Sequence, residues 1–540
     1  NDRHSGKRLF LLGANDHVLP QPPSGHGLLE PEEREVLQQR DILLSDAAFD
    51  PLDNELQNIY ACLAQPSEHL TVSYPVTDHN GGQLRPSFVV RRLERLFPGL
   101  MPERETVRLL TPAVALEEAG QEMGGPLWRY FAEREEYAGT LAAMERARQL
   151  RRGRLSPAAV QSLYGTRMGM SASRMDRVRQ CHFGYFMQYG LRAKERRPAG
   201  FEAPEIGTFL HYLLENTARE VAGSGGWAAV KTPQLHAMVR KYIDLYIRDE
   251  IPGYEEKSAR FRYLFGRLRT TAEDIVDRMA EELAESDFKP VAFELGFGGR
   301  DSTLPAITIQ EGDATLSVSG KVDRVDGWLH DGKLYLRVVD YKTGRKSFDL
   351  SDVRYGLGIQ MLLYLFTLEK EGQSCFGYPI VPAGVLYHPA RDLILKADRD
   401  ITPEALRKAM DRELRRDGMV LGDPEVLRAM EHSALEAPCF LPIQVSKDGG
   451  ISGGVATAAQ LGRLGQYVEK LLHQITRELR QGNIDADPCW RGPQESACTY
   501  CDFASACHFQ DGQADDRLRP LKRVKADEFW EFVAHETGEE

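Results

Sequence analysis

The sequence LRVVDYKTG, residues 336–344, restricts the fold most, because its apolar run predicts a buried strand that ends in two charges. Side chains alternate between the two faces of a strand, so Asp340 and Lys342 should point to the same side. Two more strand-like runs precede it, KPVAFELGFGG and TLSVSGKVDRVDGWL, and the Asp-Gly pairs in VDGW and HDGK predict turns between strands. The sequence therefore predicts a sheet in which one strand ends in an acid and a base.

A second carboxylate, Asp323 in GKVDRVD, can lie beside Asp340 if the two strands pair. Two carboxylates at one place repel each other unless a cation joins them, and Mg²⁺ prefers such oxygen ligands. A bound metal can activate water and polarise a phosphate, while Lys342 stabilises the charge that develops. The D-x-K pattern alone more often marks a surface ion pair at a strand end, so the prediction depends on the rest of the chain.

Two predicted helices add polar side chains to this set. Helical spacing places Gln360 and Tyr364 on one face of GIQMLLYLFTLE. Upstream, EIGTFLHYLLENTAREVA predicts a helix with His211 on an apolar face, where a lone histidine is more often a core or capping residue than a ligand. Glu294, in FELGFGG, is a weaker candidate, and a structural acid on a flanking strand is the favoured interpretation.

In chain order these residues form the series G-x-x-x-H, G-x-x-D, D-Y-K-T-G and Q-x-x-x-Y. The series resembles the RecB-type branch of the PD-(D/E)XK nucleases, from about residue 168 to about residue 510. The resemblance implies a restriction-endonuclease-like α/β domain that hydrolyses DNA with Mg²⁺. The metal ligands that it implies are His211, Asp323, Asp340 and the backbone carbonyl of Tyr341. The catalytic residues that it implies are Asp323, Asp340 and Lys342, with Gln360 and Tyr364 steadying Lys342 or the DNA strand.

Three cysteines crowd into the segment CTYCDFASAC, at Cys498, Cys501 and Cys507. Three thiolates do not complete a four-sulfur site, and Cys181 in RQCHFGYF is the best fourth ligand. By residue type alone the site can hold zinc or an iron–sulfur cluster, or the cysteines can be unrelated buried residues. The cysteines interpreted as ordinary are Cys62, Cys375, Cys439 and Cys489.

The segment SASRMDRVRQCHFGYFMQYGL, followed far downstream by ACTYCDFASAC, resembles the iron–sulfur nucleases, above all the AddB subunits of bacterial AddAB helicase–nucleases. The resemblance implies a [4Fe–4S] cluster held by Cys181, Cys498, Cys501 and Cys507. The first and last of these ligands lie more than 300 positions apart, so the cluster would staple distant parts of the chain. The alternatives are a stand-alone iron–sulfur nuclease of the CRISPR-adaptation type and an inactive DNA-binding scaffold.

Near the N-terminus, RLFLLGANDHVLP and NELQNIYACLAQPSEHLTVSYP alternate strand and helix patterns, which predicts an α/β domain with a parallel sheet. They resemble the end of the second motor domain of superfamily 1 helicases. In active members an arginine touches ATP phosphate where this chain has Gln65, and an amide lacks that charge. No G-x-x-x-x-G-K-[S/T] occurs either, so the chain by itself is expected neither to bind nor to hydrolyse ATP.

A length of 540 residues predicts several domains. Residues 1–110 are expected to form the end of a degenerate RecA-like helicase motor domain, and residues 111–167 a helical linker. Residues 168–512 are expected to form the nuclease domain, with large helical content and an iron–sulfur staple. Residues 513–540 are expected to form a C-terminal tail. The chain does not begin with Met and is expected to be part of a longer protein.

The charge distribution bears on the partners. A net charge of −12 argues weakly against a protein that coats nucleic acid, yet residues 146–198 hold 13 Lys or Arg and only two acids. That segment predicts either a solvated helical face or a surface that follows DNA phosphates. No apolar run approaches the roughly 20 residues that span a bilayer, so no membrane partner is expected. The AddB resemblance implies cleavage of the 5′-ended DNA strand, an AddA-like helicase–nuclease partner in a heterodimer, and a role in recombinational repair in the bacterial cytoplasm.

Overall fold

The described residues of the computed structural model are 6–21, 36–37, 39–40, 42, 51–77, 83–100, 102, 111–149, 151–194, 203–251, 253–299, 302–344, 347–391, 393, 395 and 401–538. The chain divides into two compact units, Asn1–Met144 and Glu145–Glu540. The division falls within the segment predicted as a helical linker. The helix predicted from EREVLQQRDILL lies largely outside the described residues.

The first unit contains a short parallel sheet and several helices. Its strands are β1 (Arg8–Leu11) and β2 (His69–Val72), which pair in parallel. Its helices are α1 (Pro51–Leu63), α2 (Phe88–Leu96), α3 (Pro112–Gln121) and α4 (Pro126–Ala132), and α5 (Ala138–Gln149) begins in it. The Ser87 hydroxyl caps α2 by accepting the Val89 N–H at 3.1 Å. The strand–helix–strand order with parallel pairing confirms the α/β pattern predicted here.

The second unit begins with a helical region. Its elements are α6 (Pro157–Tyr164), β3 (Arg167–Met170), α7 (Ala172–Gln180), α8 (His182–Tyr185) with a π-helical turn at Phe186–Gly190, α9 (Ala203–Gly223), α10 (Thr232–Glu250) and α11 (Ala259–Ala284). As predicted, Ser171 caps α7, because its hydroxyl accepts the Arg174 N–H. The long helices α9, α10 and α11 bury their own core, which includes Leu210, Leu213 and Leu214.

Strands and crossing helices make up the rest of this unit. They are β4 (Lys289–Phe297), β5 (Ile307–Glu311), β6 (Ala314–Val318), β7 (Gly320–His330), β8 (Lys333–Lys342), α12 (Leu350–Arg354), α13 (Gln360–Phe376), β9 (Ile380–Pro389), α14 (Pro403–Glu413), β10 (Asp417–Leu421), α15 (Pro424–Met430), β11 (Ile443–Val445), β12 (Ile451–Gly453), β13 (Val455–Ala456), α16 (Ala458–Arg480), β14 (Cys489–Gly492), β15 (Glu495–Ser496), α17 (Ala504–Cys507), β16 (Arg519–Pro520) and α18 (Ala526–Glu536). The helical and strand signals quoted for residues 168–389 are confirmed by these elements.

A six-stranded sheet in the order β13–β10–β9–β8–β7–β4 forms the centre of the second unit. Strand β7 runs antiparallel to β4 and β8, whereas β8 and β9 are parallel. Parallel neighbours need a crossover, and α13 supplies it while packing on both strands. The carboxyl ends of β8 and β9 therefore lie side by side, which is where the predicted catalytic residues stand.

Helices cover both faces of this sheet. Alternate residues of β8, such as Leu336 and Val338, pack in a core shared with α13 and α16, while Tyr341 packs with α9–α11. Helix α18 joins the first of these cores through Phe529 and Val533, so the segment expected to be a tail contains a packed helix. No helix in the described part of the chain has the length and apolar character needed to cross a membrane.

The two Asp-Gly signals have different outcomes. The turn predicted at Asp331-Gly332 is confirmed, because both residues have positive φ and His330 pairs with Lys333 across the hairpin. The turn predicted at Asp326-Gly327 is wrong, because both residues lie inside β7. Asp326 is fully buried there and accepts hydrogen bonds from two arginines, so a side-chain network overrides the local turn preference.

Candidate active site

The carboxyl end of β8 carries an acid and a base on one face, as strand alternation predicted. Lys342 Nζ lies 2.5 Å from Asp340 Oδ2, and the Asp340 side chain is only 4% exposed. Burial raises the pKa of Asp340 to about 6, and the charge of Asp323 adds to this shift while Lys342 opposes it. The pair is therefore not the solvated surface ion pair that the D-x-K pattern alone favours.

Asp323 approaches Asp340 from the neighbouring strand. The register that pairs Arg324 with Val339 places Asp323 opposite Asp340. Asp323 Oδ2 accepts the backbone N–H of Tyr341 at 2.9 Å, so the peptide between Asp340 and Lys342 is tied to Asp323. The side chain of Tyr341 is buried on the other face, which leaves its backbone to line the site.

His211 reaches the same point from α9. Its Nδ1 atom lies 3.4 Å from Asp323 Oδ1 and 3.9 Å from Glu294 Oε1, and its Nε2 atom lies 3.2 Å from the Tyr341 carbonyl oxygen. Burial alone would lower the pKa of His211, but Asp323 outweighs it and the net shift is upward. Its environment is therefore anionic, not the apolar core that its helix face suggested.

These side chains suit a divalent cation. Among the described residues, His211, Glu294 and Asp323 are the one set of at least three His, Cys, Asp or Glu whose ligand atoms all lie within 4.8 Å of one another. Carboxylate and carbonyl oxygens are the donors that Mg²⁺ prefers, and an imidazole nitrogen is accepted by several divalent metals. Asp340 stands outside this set, paired with Lys342.

Glu294 is the residue that sequence reasoning underrated. It was interpreted as a structural acid on a flanking strand, whereas the structure brings it to His211 and to Lys321, whose Nζ lies 2.5 Å away. Its φ of 51° is rare for a residue other than glycine and interrupts β4 opposite Asp323. Strand alternation carries no signal for a backbone reversal at one residue, so nothing in the sequence pointed Glu294 into the site.

Gln360 and Tyr364 lie on one face of α13, as predicted. Gln360 Nε2 donates to the Tyr364 hydroxyl at 2.9 Å. Tyr364 also packs edge-on against Phe297, with ring centroids 5.4 Å apart. A Cβ atom on Gly320 would meet both rings at 2.8 Å, so glycine is needed where β7 passes beneath them. This contact sets the distance between Tyr364 and the strand that carries Asp323.

A buried charge network supports the site from behind, and sequence reasoning missed it. Asp326 accepts from Arg324 at 3.0 Å and from Arg337 at 2.9 Å, and Arg337 also donates to Glu282 of α11 at 3.3 Å. Arg324 donates to the Tyr341 hydroxyl at 3.4 Å, so the network touches the residue whose carbonyl lines the site. The available signal was charge within otherwise apolar strand patterns, as in KVDRVD.

Comparison with known proteins decides the family. Residues 169–508 match the profile of the PD-(D/E)XK nuclease superfamily, which is more than half of the chain. The chain belongs to this superfamily. The match contains the whole candidate site, so the PD-(D/E)XK nuclease fold that the motifs predicted is confirmed, as a mixed α/β domain with many helices.

Curated relatives of this PD-(D/E)XK nuclease bear one name, that of the AddB subunit of an ATP-dependent helicase/deoxyribonuclease. The protein from Acetivibrio thermocellus is 32% identical over 99% of this chain and 49% of its own length. That from Caldanaerobacter subterraneus is 31% identical over 99% of this chain and 48% of its own length. The resemblance to AddB-type subunits is therefore confirmed, and the chain spans about half the length of these relatives.

The four cysteines singled out in this nuclease domain come together in space. Cys507 influences the pKa of Cys181, and Cys501 that of Cys498. Burial raises the pKa of Cys181 to about 12 and that of Cys507 to about 11. Arg177 donates to Cys501 Sγ at 3.5 Å, which brings a cation to the thiols.

The spacing of the sulfur atoms distinguishes between kinds of metal group. In the described part of the chain no three cysteine sulfurs lie within 4.8 Å of one another. Zinc–sulfur bonds of about 2.3 Å in a tetrahedral site bring the four sulfurs to about 3.8 Å from one another. The wider arrangement fits a larger group than one zinc ion.

The basic segment is partly structural. Arg152 pairs with Asp516 at 2.8 Å, and Arg179 pairs with Glu478 at 3.1 Å with its side chain only 5% exposed. Arg174 donates to the Gly169 carbonyl at 2.7 Å. Together with Arg177 at the cysteines, these arginines join parts of the fold, so they contribute less to a phosphate-following surface than their number suggests.

Proposed function

We propose that this chain contains the metal-dependent DNA exonuclease domain of an AddB-like subunit, acting on the 5′-ended strand at double-strand breaks. The observation that carries the proposal is the convergence of His211, Glu294, Asp323 and the Tyr341 carbonyl at the end of a strand that also presents Lys342. This is an oxygen-rich metal site with a lysine beside it. The names of the curated relatives, which include deoxyribonuclease, support DNA as the substrate.

The donor set fits Mg²⁺. His211, Asp323, Asp340 and the Tyr341 carbonyl would hold it, and Glu294 joins them on the geometry of the site. When bound, the metal supplies a Lewis acid for the phosphate and a water of lowered pKa. The chain itself fixes the donors: Asp323 is held by the Tyr341 N–H, and His211 is held against the Tyr341 carbonyl.

Lys342 is the group placed to stabilise charge on the phosphate. Its ammonium lies 2.5 Å from Asp340 Oδ2, and a quarter of its side chain is exposed, so it reaches both the carboxylate and an incoming strand. A positive charge fixed where negative charge develops lowers the barrier of phosphate hydrolysis. Gln360 and Tyr364, joined by their hydrogen bond, would steady this end of the sheet or the DNA strand.

The four cysteines fit a [4Fe–4S] cluster. Their burial, their mutual influence and the separation of their sulfurs support ligands gathered around one group that is larger than zinc. When bound, the cluster supplies four iron–thiolate bonds that join Cys181 to the segment from Cys498 to Cys507. Arg177, near Cys501, would offset part of the negative charge of the thiolates.

A partner subunit is part of this proposal. The relatives are named as one subunit of a helicase–nuclease, which supports an AddA-like partner that supplies ATP-driven movement along DNA. The first unit would be the end of the degenerate motor domain, with Gln65 in place of the phosphate-binding arginine. The chain by itself is therefore expected to lack ATPase activity.

A cleavage assay on end-labelled linear DNA tests the proposal. We expect Mg²⁺-dependent shortening from the 5′ end by the wild-type chain and none after addition of EDTA. Asp340→Asn and Lys342→Ala should abolish cleavage and retain DNA binding. Asp331→Asn, on the exposed hairpin turn, is the matched control and should cleave at the wild-type rate. Cleavage retained in both Asp340→Asn and Lys342→Ala would refute the assignment.

A further inference from the structure

An apolar slot lies beside the catalytic strand and belongs to none of the groups described above. Its cavity volume is about 280 Å³. Leu210 of α9 and Phe261 and Phe265 of α11 form its walls, and Thr343 and Arg391 stand at its edge. Thr343 directly follows Lys342 in sequence, so the slot opens next to the predicted catalytic lysine.

Arg391 connects the slot to Lys342. It also lines a neighbouring pocket of about 230 Å³, together with Lys342 and Arg415. The backbone fixes this relation, because the Ala390 N–H donates to the Lys342 carbonyl at 2.8 Å. The Arg391 guanidinium is 3.7 Å from Glu413, so the ion pair is a loose one at a partly exposed side chain. Arg391 is thus a cation within reach of both cavities.

The helix that walls the slot has a basic and aromatic outer face. Residues 259–272 hold four arginines and no acid, within a chain of net charge −12. The arginines are Arg260, Arg262, Arg267 and Arg269, and all four are exposed. Tyr263, between them, is 67% exposed. Arginines alternating with aromatic rings are the chemistry that binds single-stranded nucleic acid, through phosphates and base stacking.

We propose that this slot, Arg391 and the outer face of α11 form a subsite for single-stranded DNA. The slot takes one base against Phe261, and Arg391 binds a phosphate adjacent to the one that Lys342 contacts. The exposed arginines and Tyr263 guide the strand beyond. A volume near the lower end of the roughly 300–1,000 Å³ found for ligand pockets suits one ring system and excludes duplex. The inference rests on the proposed function, since it takes the strand to be a DNA substrate of the site at Lys342.

The decisive experiment removes single bases from the DNA. Single-stranded oligonucleotides carry a stable abasic analogue at successive positions from the 5′ end, and their binding to the full chain is measured in EDTA. With the wild-type chain we expect one position at which the abasic analogue weakens binding about tenfold, because one stacked base is lost. With Phe261→Ala that penalty should disappear, since no ring remains to stack on. A penalty that is the same in both proteins, or no sensitive position, would overturn the subsite.

Surface variants keep the test independent of folding. Arg391→Ala and Arg267→Ala should each reduce the slope of log affinity against log salt by about one and raise KM in the cleavage assay. Arg391→Lys should recover most of the affinity, since it restores the charge. Arg428→Ala, an exposed arginine on α15, is the matched control and should leave slope and KM unchanged. Equal slopes in Arg391→Ala and Arg428→Ala would contradict the role of Arg391.

The outcomes separate the subsite from the proposed function. A wild-type chain that cleaves DNA normally yet shows no base-sensitive position refutes the subsite and leaves the nuclease proposal standing. A wild-type chain that shows the base-sensitive position but never cleaves with Mg²⁺ refutes the nuclease proposal at Lys342. In that case the slot still binds DNA.

Discussion

At the scale of single residues, Glu294 separates a structural from a functional interpretation. Its backbone is left-handed, and its carboxylate is shared between Lys321 and the His211 side of the cleft. A non-glycine residue in this conformation costs of order 1–3 kcal/mol, and such residues concentrate at active sites and ligand clamps. The geometry is what a metal ligand needs and what a surface acid on a strand does not.

We predict that Glu294→Gln raises the Mg²⁺ concentration needed for half-maximal cleavage by about tenfold or more, because one anionic donor becomes neutral. The measurement is a Mg²⁺ titration of cleavage rate at saturating DNA. Lys321→Met removes the ion pair but leaves the Glu294 carboxylate, so its Mg²⁺ requirement should not rise. An unchanged requirement in Glu294→Gln would return this residue to the structural role.

Gly320 provides a second test at this scale. Its missing side chain lets β7 pass beneath the rings of Phe297 and Tyr364, and an alanine Cβ would stand 2.8 Å from each. We expect Gly320→Ala to lower the free energy of unfolding by about 1–3 kcal/mol and to reduce cleavage, because the rings must shift. Gly462→Ala, at an open and exposed position of α16, should instead stabilise by about 0.5–1 kcal/mol. Urea unfolding of both variants makes the comparison, and equal effects would contradict it.

The sequence could predict these residues only where a period carries the information. Alternation placed Asp340 and Lys342 on one face, and helical spacing joined Gln360 to Tyr364. Long-range pairing brought Asp323 to Asp340, which was predictable once adjacent strands were assumed. Glu294 was missed because its position depends on one φ angle. The roles of these residues stay predictions.

At the scale of elements, one carboxylate joins α11 to the sheet. Glu282 accepts hydrogen bonds from Arg337 at 3.3 Å and from Arg416 at 2.6 Å, and it lies 3.7 Å from Arg324. Burial alone would raise the pKa of Glu282, but Arg416, Arg324 and Arg337 outweigh it and hold the pKa far below its usual range. His388 beside it is kept neutral, because burial and Arg416 lower its pKa well below the ordinary value.

We predict that Glu282→Gln lowers the free energy of unfolding by about 3–5 kcal/mol at pH 7, because buried arginines lose their counter-charge. The folded pKa lies below the unfolded one, so the contribution is present above about pH 4.3 and fades as the pH falls towards the folded pKa. The cost of the substitution should therefore shrink in acid. Urea midpoints at pH 7 and at low pH measure it. Glu281→Gln, one residue earlier and half exposed, is the control and should change stability by less than about 0.5 kcal/mol. A similar loss in both variants would contradict the prediction.

The elements themselves were largely predictable, and the exceptions have physical causes. Apolar periods gave β4, β8, β9 and α13, because each is built against a core on one or both faces. Asp326-Gly327 was predicted as a turn but lies inside β7, since buried arginines satisfy the aspartate there. Local preference loses wherever a tertiary partner offers more than water does.

At the scale of the whole molecule, the second unit is closed by contacts between segments far apart in sequence. The buried carboxylate of Asp487 accepts from the His182 backbone N–H at 3.0 Å, and Arg152 donates to the Cys507 carbonyl at 2.7 Å. Helix α18 buries Phe529 in the main core. Sequence reasoning predicted the cysteine link but not the ion pairs and the helix around it, because their partners are hundreds of positions away.

The cysteine site gives the prediction at this scale. We expect Cys501→Ala to lose bound iron and visible absorption, and to lower the stability of the second unit by a few kcal/mol, because a link that closes a loop of more than 300 residues is lost. Iron analysis and thermal unfolding measure both effects. Cys375→Ala, at an exposed cysteine outside the cluster, should keep the iron and the wild-type unfolding temperature. The surrounding ion pairs remain in Cys501→Ala, so the fold should loosen near α7 and α17 before it unfolds completely. A colourless Cys501→Ala chain with wild-type stability and cleavage would show that the cysteines are not a staple.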